Sequence, residues 1–381
     1  MKGFLLGLFR AAISSSFMFL VVFLMTGCSP GKLTIGVPGP SPTPGAAFVF
    51  TANAGGNNIS GFANDSAGNL TAVPGSPFAS PGQPFGLAAT PNNAFLYVSS
   101  FQNAQVTGFS INATTGTLTP LACPVATTGS QPLKIAINPA GTLLFTANQP
   151  GSVSGFAITT TTGCLTPIST TATDSVARGL TIDGTGQFLY VVTGGGGIDL
   201  FTINGNGTLT RQVIGGFDST TGTMLAVKAV PGINVLLATD GGSTNNLRSF
   251  IINTTTGALT PIVVTAPGSS PPNPSAIAVN TPASATSPLF YVANTASNNL
   301  TVNTTAADGT IGASSLTVVA ATGPIDLAVD PTGKFLYVAN NGASTVSAFN
   351  ANITASNVNS VFISAAGTGA GPESIVVVGH P

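Results

Sequence analysis

Seven near-copies of one apolar strand, a scarcity of charge and an abundance of turn-forming residues predict an all-β protein built as a ring of seven four-stranded antiparallel blades. The strand recurs as Phe48-Val49-Phe50-Thr51-Ala52-Asn53, Phe95-Leu96-Tyr97-Val98-Ser99, Leu144-Phe145-Thr146-Ala147-Asn148, Phe188-Leu189-Tyr190-Val191-Val192, Val235-Leu236-Leu237-Ala238-Thr239, Phe290-Tyr291-Val292-Ala293-Asn294 and Phe335-Leu336-Tyr337-Val338-Ala339-Asn340. Aligned on Phe50, Tyr97, Phe145, Tyr190, Leu236, Tyr291 and Tyr337, the copies are 47, 48, 45, 46, 55 and 46 residues apart, and a period of this length marks a repeat architecture. Only 5% of residues are charged, against roughly 25% in an ordinary soluble domain. The polar balance falls to Thr, Ser and Asn, with 47 Gly and 28 Pro, a composition of short strands and tight turns.

The recurrent anchor strand is apolar on both faces instead of alternating, so each sheet is covered on both sides by neighbours. A second apolar strand precedes it, as in Lys134-Ile135-Ala136-Ile137 or Asp326-Leu327-Ala328-Val329. A turn such as Asn138-Pro139-Ala140-Gly141 or Asp330-Pro331-Thr332-Gly333 joins the two, with Pro fixing φ at its second position. A third strand follows the anchor, for example Val153-Ser154-Gly155-Phe156-Ala157-Ile158. A Thr-Gly turn then opens the fourth, as in Thr115-Gly116-Thr117-Leu118-Thr119-Pro120 and Thr256-Gly257-Ala258-Leu259-Thr260-Pro261. Four antiparallel strands repeated radially form a β-propeller.

The two ends of the repeat region complete each other. It opens on the anchor strand at Phe48 with no inner strand before it, and it ends with Gly371-Pro372-Glu373-Ser374-Ile375-Val376-Val377-Val378, which matches Gly323-Pro324-Ile325-Asp326-Leu327-Ala328-Val329. The C-terminus is therefore expected to supply the missing inner strand and to close the ring, hiding edges that an open array would expose. Residues 46–381 form one propeller domain.

The first 28 residues form an export signal in this reading. Lys2 and Arg10 precede the apolar run Phe17–Met25, and Thr26-Gly27-Cys28 follows it. The run is too short for a bilayer span of about 20 residues. Its ending resembles a bacterial lipobox, which implies cleavage before Cys28 and lipidation of that cysteine; Met25 stands where the pattern usually has Leu. Residues 29–45 carry five prolines and read as a semi-extended tether. These features make the chain an exported lipoprotein of the cell envelope, in the outer membrane or periplasm and anchored through lipid. Cys123 and Cys164 then remain in an oxidising compartment. They are not expected to pair, because Cys164 aligns with Thr117 of the preceding repeat while Cys123 lies six residues beyond it.

The Phe-Leu-Tyr-Val-Ala-Asn string at 335–340 and the Tyr-Val-Ala-Asn string repeated at 291–294, the Asp-Pro-Thr-Gly-Lys turn at 330–334 and the Thr-Gly-x-Leu-Thr-Pro turns resemble those of the lactonase-type seven-bladed propellers, also called YVTN repeats, over nearly all of the chain after the tether. The resemblance implies the propeller fold. It extends to 6-phosphogluconolactonase-like and muconate-cycloisomerase-like enzymes and to surface proteins, and its motifs carry blade architecture and no catalytic group. WD-type propellers match less well, since the chain has no Trp.

Nine Lys and Arg cannot supply a phosphate-neutralising surface, which excludes a nucleic-acid binder. The mouth implied by the family lies where the loops before the inner strands meet those after the anchor strands. Repeat register places Lys134, Arg178, Asp326 and Glu373 there, in blades three, four, seven and one. A carboxylate there can activate water while Arg178 or Lys134 stabilises an oxyanion; the alternative is four solvated charges at loop–strand junctions. Asn53, Asn148, Asn294 and Asn340 end four anchor strands and are candidates to ring the mouth and bind a glycan or peptide, or else to cap the strand ends. The one histidine, His380, is next to last and matches no channel histidine of the cyclising enzymes. Gly194–Gly197 has no following helix to make a phosphate loop. No metal site and no cofactor are expected. The primary reading is a monomeric, non-catalytic scaffold that presents its mouth to a protein or glycan partner; the alternative is an exported lactone hydrolase.

Overall fold

The computed structural model describes residues 47–217, 223–241, 246–262, 273–280, 288–312, 316–352 and 362–379. The expected export signal over 1–28, Cys28, the expected tether over 29–45 and His380 lie outside them. The described residues form seven antiparallel sheets, six of them running in chain order from the inner strand outward. The anchor strands Phe48–Asn53, Phe95–Ser100, Phe188–Thr193 and Val235–Asp240 are buried along their whole length, as two-faced apolar strands must be. The core accordingly divides into seven apolar clusters, one between each pair of neighbouring blades. Among the described residues no helix is long and apolar enough to cross a membrane.

Closure follows the expected route. The C-terminal strand Pro372–Val378 pairs antiparallel with Phe48–Asn53, placing Val378 opposite Phe48 and Ile375 opposite Thr51, and becomes the inner strand of blade one.

Neighbouring blades are keyed together by the recurrent Thr-Gly turns of the repeat. In blade three Gly163 lies at φ +72°, and a Cβ there would meet the Phe95 ring of blade two at 2.6 Å. In blade five Gly257 lies at φ +73°, with Phe188 of blade four at 2.4 Å from the same imagined atom. Only glycine fits either place. The carbonyls of these two glycines accept hydrogen bonds from Tyr97 and Tyr190, each at 2.7 Å. The hydroxyl of Tyr291 in blade six reaches the Ala351 carbonyl of blade seven, and Tyr337 of blade seven accepts from Asn64 of blade one at 2.7 Å. Burial raises the Tyr291 phenol to about 12 and pushes those of Tyr97, Tyr190 and Tyr337 further up. All four therefore stay protonated as donors or acceptors between blades.

The cysteine expectation is overturned: Cys123 and Cys164 form a disulfide, with Cα atoms 5.4 Å apart. Repeat register compares residues within their own blades, but it does not show how one blade's turn sits on its neighbour. The Thr162–Leu165 turn of blade three docks on blade two, where Gly163 packs against Phe95 and Leu121. That contact brings Cys164 to the segment just beyond Leu121. The bridge thus staples the outer part of blade two to blade three.

Candidate functional site

Each inner strand carries an irregularity at its first two or three residues. In blade four Ala177 pairs with Thr193 and Gly179 with Val192, leaving Arg178 as the extra residue. In blade one Pro372 pairs with Asn53 and Ser374 with Ala52, leaving Glu373 as the extra residue. The same shift occurs at Pro132/Ile135 and Pro324/Asp326. A β-bulge redirects the side chain of its extra residue. The two bulged charges therefore occupy the same register place in blades one and four, at the end of the channel where the anchor strands finish.

The inner strands enclose a channel of about 780 Å³, lined mainly by Ala, Val, Leu and Ile, with Lys134, Thr181, Asp183, Lys228, Asp326 and Ser374 as its main polar side chains. Lys134 and Asp326 do not stand apart around an opening. The Lys134 ammonium crosses from blade three to Asp326 Oδ2 of blade seven at 3.0 Å and donates to the Glu373 carbonyl of blade one at 3.1 Å. Gly86 of blade two packs against the backbone beside Lys134, where a Cβ would lie 2.4 Å from the Leu133 carbonyl. Asp326 is saturated: Oδ2 also accepts from Ser374 Oγ at 2.8 Å and Ile375 N at 3.3 Å, and Oδ1 from Leu327 N at 3.0 Å. It acts as a structural anion across the channel.

Glu373 differs. One carboxylate oxygen accepts from Asn341 Nδ2 at 2.9 Å, and among the described residues the other has no partner. Burial raises its pKa above the ordinary glutamate value, against the lowering effects of Lys134 and the Asn341 bond. Arg178 lies beside Gly194 of the glycine-rich loop. Its Nε is enclosed without a hydrogen-bond partner, and among the described residues its guanidinium makes no ion pair. Neither Glu373 nor Arg178 is among the residues that line the channel; each sits at the bulged start of its inner strand, with one carboxylate oxygen and the guanidinium left without an ion-pair partner among the described residues.

The four asparagines are enclosed at 0% exposure. Asn148 donates to Ser154 at 3.0 Å, Asn340 to Ser347 at 3.0 Å and Asn294 to Asn299 at 3.0 Å, while the Asn53 amide lies 2.9 Å from Ser60 Oγ. Their side chains hold each anchor strand to the third strand. Blade five uses the same two places differently: Asp240 replaces the Asn and Arg248 replaces the Ser, paired at 2.9 Å. Arg248 also lies over the Phe217 ring at 5.4 Å. In blade four Asp199 takes the place of the Ser and meets Arg211 at 3.2 Å.

Sequence reasoning missed Lys228, Asn341 and these ion pairs. Lys228 sits in the inner strand Met224–Ala229, the one whose glycine turn is shifted by a residue, as Val230-Pro231-Gly232, and which the repeat strings do not pick out. Asn341 follows the anchor strand of blade seven, at the loop position the family mouth implies. Among the described residues no three His, Cys, Asp or Glu side chains gather as metal ligands.

The profile of the family described as lactonase, 7-bladed beta-propeller, matches residues 69–178 and 244–371, more than half of the chain. The chain belongs to this lactonase propeller family. No curated protein matches the sequence. Among solved structures, a Bacteroides fragilis protein described as a candidate 6-phosphogluconolactonase is similar at 17% identity and TM-score 0.72, over 89% of this chain and 99% of that one. The periplasmic gluconolactonase of Pseudomonas aeruginosa is similar at 16% identity and TM-score 0.71, over 88% of this chain and 99% of that one. At these identities the likeness of the lactonase propeller to both concerns the fold.

Proposed function

We propose that this lactonase propeller hydrolyses a small unphosphorylated lactone at its mouth, and that it does so as an exported protein of the cell envelope. The observation that carries the reading is the bulged pair Glu373 and Arg178, whose charges the protein does not consume. Glu373 removes a proton from water as the water oxygen bonds to the lactone carbonyl carbon, and its raised pKa suits a base working near neutrality. Arg178 stabilises the resulting oxyanion. The ring C–O bond then breaks, the leaving oxygen takes back the proton, and a hydroxycarboxylate results. Asn341 fixes the Glu373 carboxylate, and Lys134 holds the strand beneath it. Because Lys134 is engaged by Asp326, the mouth lacks the paired free cations that a phosphate dianion favours. The family and its gluconolactonase-like neighbours support the reaction class.

Export rests on the signal-like residues 1–28, with Cys28 as the lipidation site and 29–45 as tether. The Cys123–Cys164 bridge supports it, since such bonds persist in oxidising compartments. One observation favours the scaffold reading, the ion-paired closure of the channel by Lys134 and Asp326.

A panel of uncharged lactones followed by pH-stat separates the two. We expect turnover whose kcat/KM climbs with pH through a Glu373 pKa above the ordinary value. Glu373→Gln should lower it about 10²- to 10⁴-fold and Arg178→Ala roughly 10²- to 10³-fold. A folded protein with no turnover on any lactone sinks the hydrolase and leaves the scaffold, with its protein or glycan partner.

A further inference from the structure

We infer that the half of the central channel away from Glu373 and Arg178 is a binding site for a small monocarboxylate with an apolar body, held by the Lys228 ammonium and the Thr181 hydroxyl. This inference is independent of the hydrolase reading. The Lys134–Asp326 bridge occupies the third place of the inner strands, and Lys228 occupies the fifth, about 7 Å further along at the usual rise. At that fifth place the other blades carry Ala88, Ala136, Thr181, Ala278, Ala328 and Val376. Six small side chains thus leave room into which one long amine projects.

Lys228 makes no hydrogen bond or ion pair among the described residues. The charged groups around it are already engaged. Asp326, whose charge favours the ammonium, is saturated by Lys134, Ser374 and two backbone N–H groups. Asp183, further along, accepts from Gln187 N at 2.9 Å and Phe188 N at 2.8 Å. Water reaches Lys228 through the channel, yet the crowded walls push its pKa below the usual lysine value. A cation so placed gains from a counter-ion brought in by a ligand.

Thr181, at the same level of the neighbouring blade, supplies the second contact. Its Oγ1 accepts from Ala229 N at 3.3 Å, which leaves its own proton to donate to an anion. One ammonium and one hydroxyl suit a single carboxylate. The walls beyond them, Ala136, Ile137, Ile182 and Ala229, suit an alkyl chain, and the Asp183 carboxylate at the far end disfavours a dianion.

Isothermal titration calorimetry with octanoate tests this on the purified protein. We expect 1:1 binding that weakens at least tenfold in Lys228→Met and survives in Lys334→Met, which alters an exposed lysine. Octanol, octylamine and inorganic phosphate should each bind at least tenfold more weakly than octanoate, a comparison that needs no variant. No binding of octanoate at millimolar concentration, equal binding of octanol, or undiminished binding by a folded Lys228→Met protein would each overturn the assignment.

Discussion

Replacing both Cys123 and Cys164 with alanine removes a cross-link between residues 41 positions apart, and the structure limits where the cost falls. The Thr162–Leu165 turn remains docked after the change, because Gly163 still packs on Phe95 and Leu121 and still receives the Tyr97 hydrogen bond. The native contacts being retained, the effect lies in the freer unfolded chain. For a loop of this length the closure entropy is roughly 13 cal/mol/K, or ~4 kcal/mol at 25 °C. Unfolding about 330 residues releases ~0.7 kcal/mol/K near the midpoint, so Tm should fall by about 6 °C. Differential scanning calorimetry of the parent, the double variant and the reduced parent measures this, with the last two expected to coincide. Alkylation in denaturant should label the Cys123 and Cys164 peptides only after reduction. A Tm unchanged within 1 °C, or free thiols before reduction, would refute the argument.

Three further outcomes follow from the packing. Tyr190→Phe strips the Gly257 carbonyl of its interblade donor and should cost about 1–3 kcal/mol by chemical denaturation, with blades four and five losing amide protection first. Truncation after Gly371 removes the strand that pairs with Phe48–Asn53; circular dichroism and size exclusion should show an unfolded or aggregated chain, and a monomeric, cooperatively melting product would contradict the closure. Arg248→Ser leaves the fully buried Asp240 without its cation and should destabilise by roughly 3–5 kcal/mol, whereas adding Asp240→Asn restores the arrangement of blades one, three and seven and should recover most of the loss.

Repetition made the fold legible. Seven copies of one strand average out the ambiguity that any single apolar run carries, and the mismatch of the two ends identified the closing strand. Contacts between copies were not legible in the same way. Register put Lys134 and Asp326 at the mouth but could not show that the Lys134 side chain reaches from blade three to Asp326 of blade seven in a 3.0 Å bridge. The disulfide escaped for the same reason, since it depends on a turn resting on the next blade. The asparagines at the anchor-strand ends gave no sign in sequence of which way they face, and only the third strand's Ser or Thr two places into its pairing explains their burial.

The repeat also separates charges that belong to the fold from charges that do not. Where blade five departs from the Asn–Ser arrangement it does so at both places at once, with Asp240 and Arg248 facing each other. Asp199 in blade four likewise has Arg211. These departures are compensated inside the chain. Arg178 and Lys228 depart from the small or apolar residues of most other blades without any such partner, and Glu373 with a partner for one oxygen only. Partly enclosed charge without compensation is costly to folding, and in a chain with 5% charged residues a solvated outer strand would bear it more cheaply. Under the two proposals above, these charges would be met from outside the chain, by a lactone's developing oxyanion and attacking water at the inner-strand bulges and by a carboxylate in the channel.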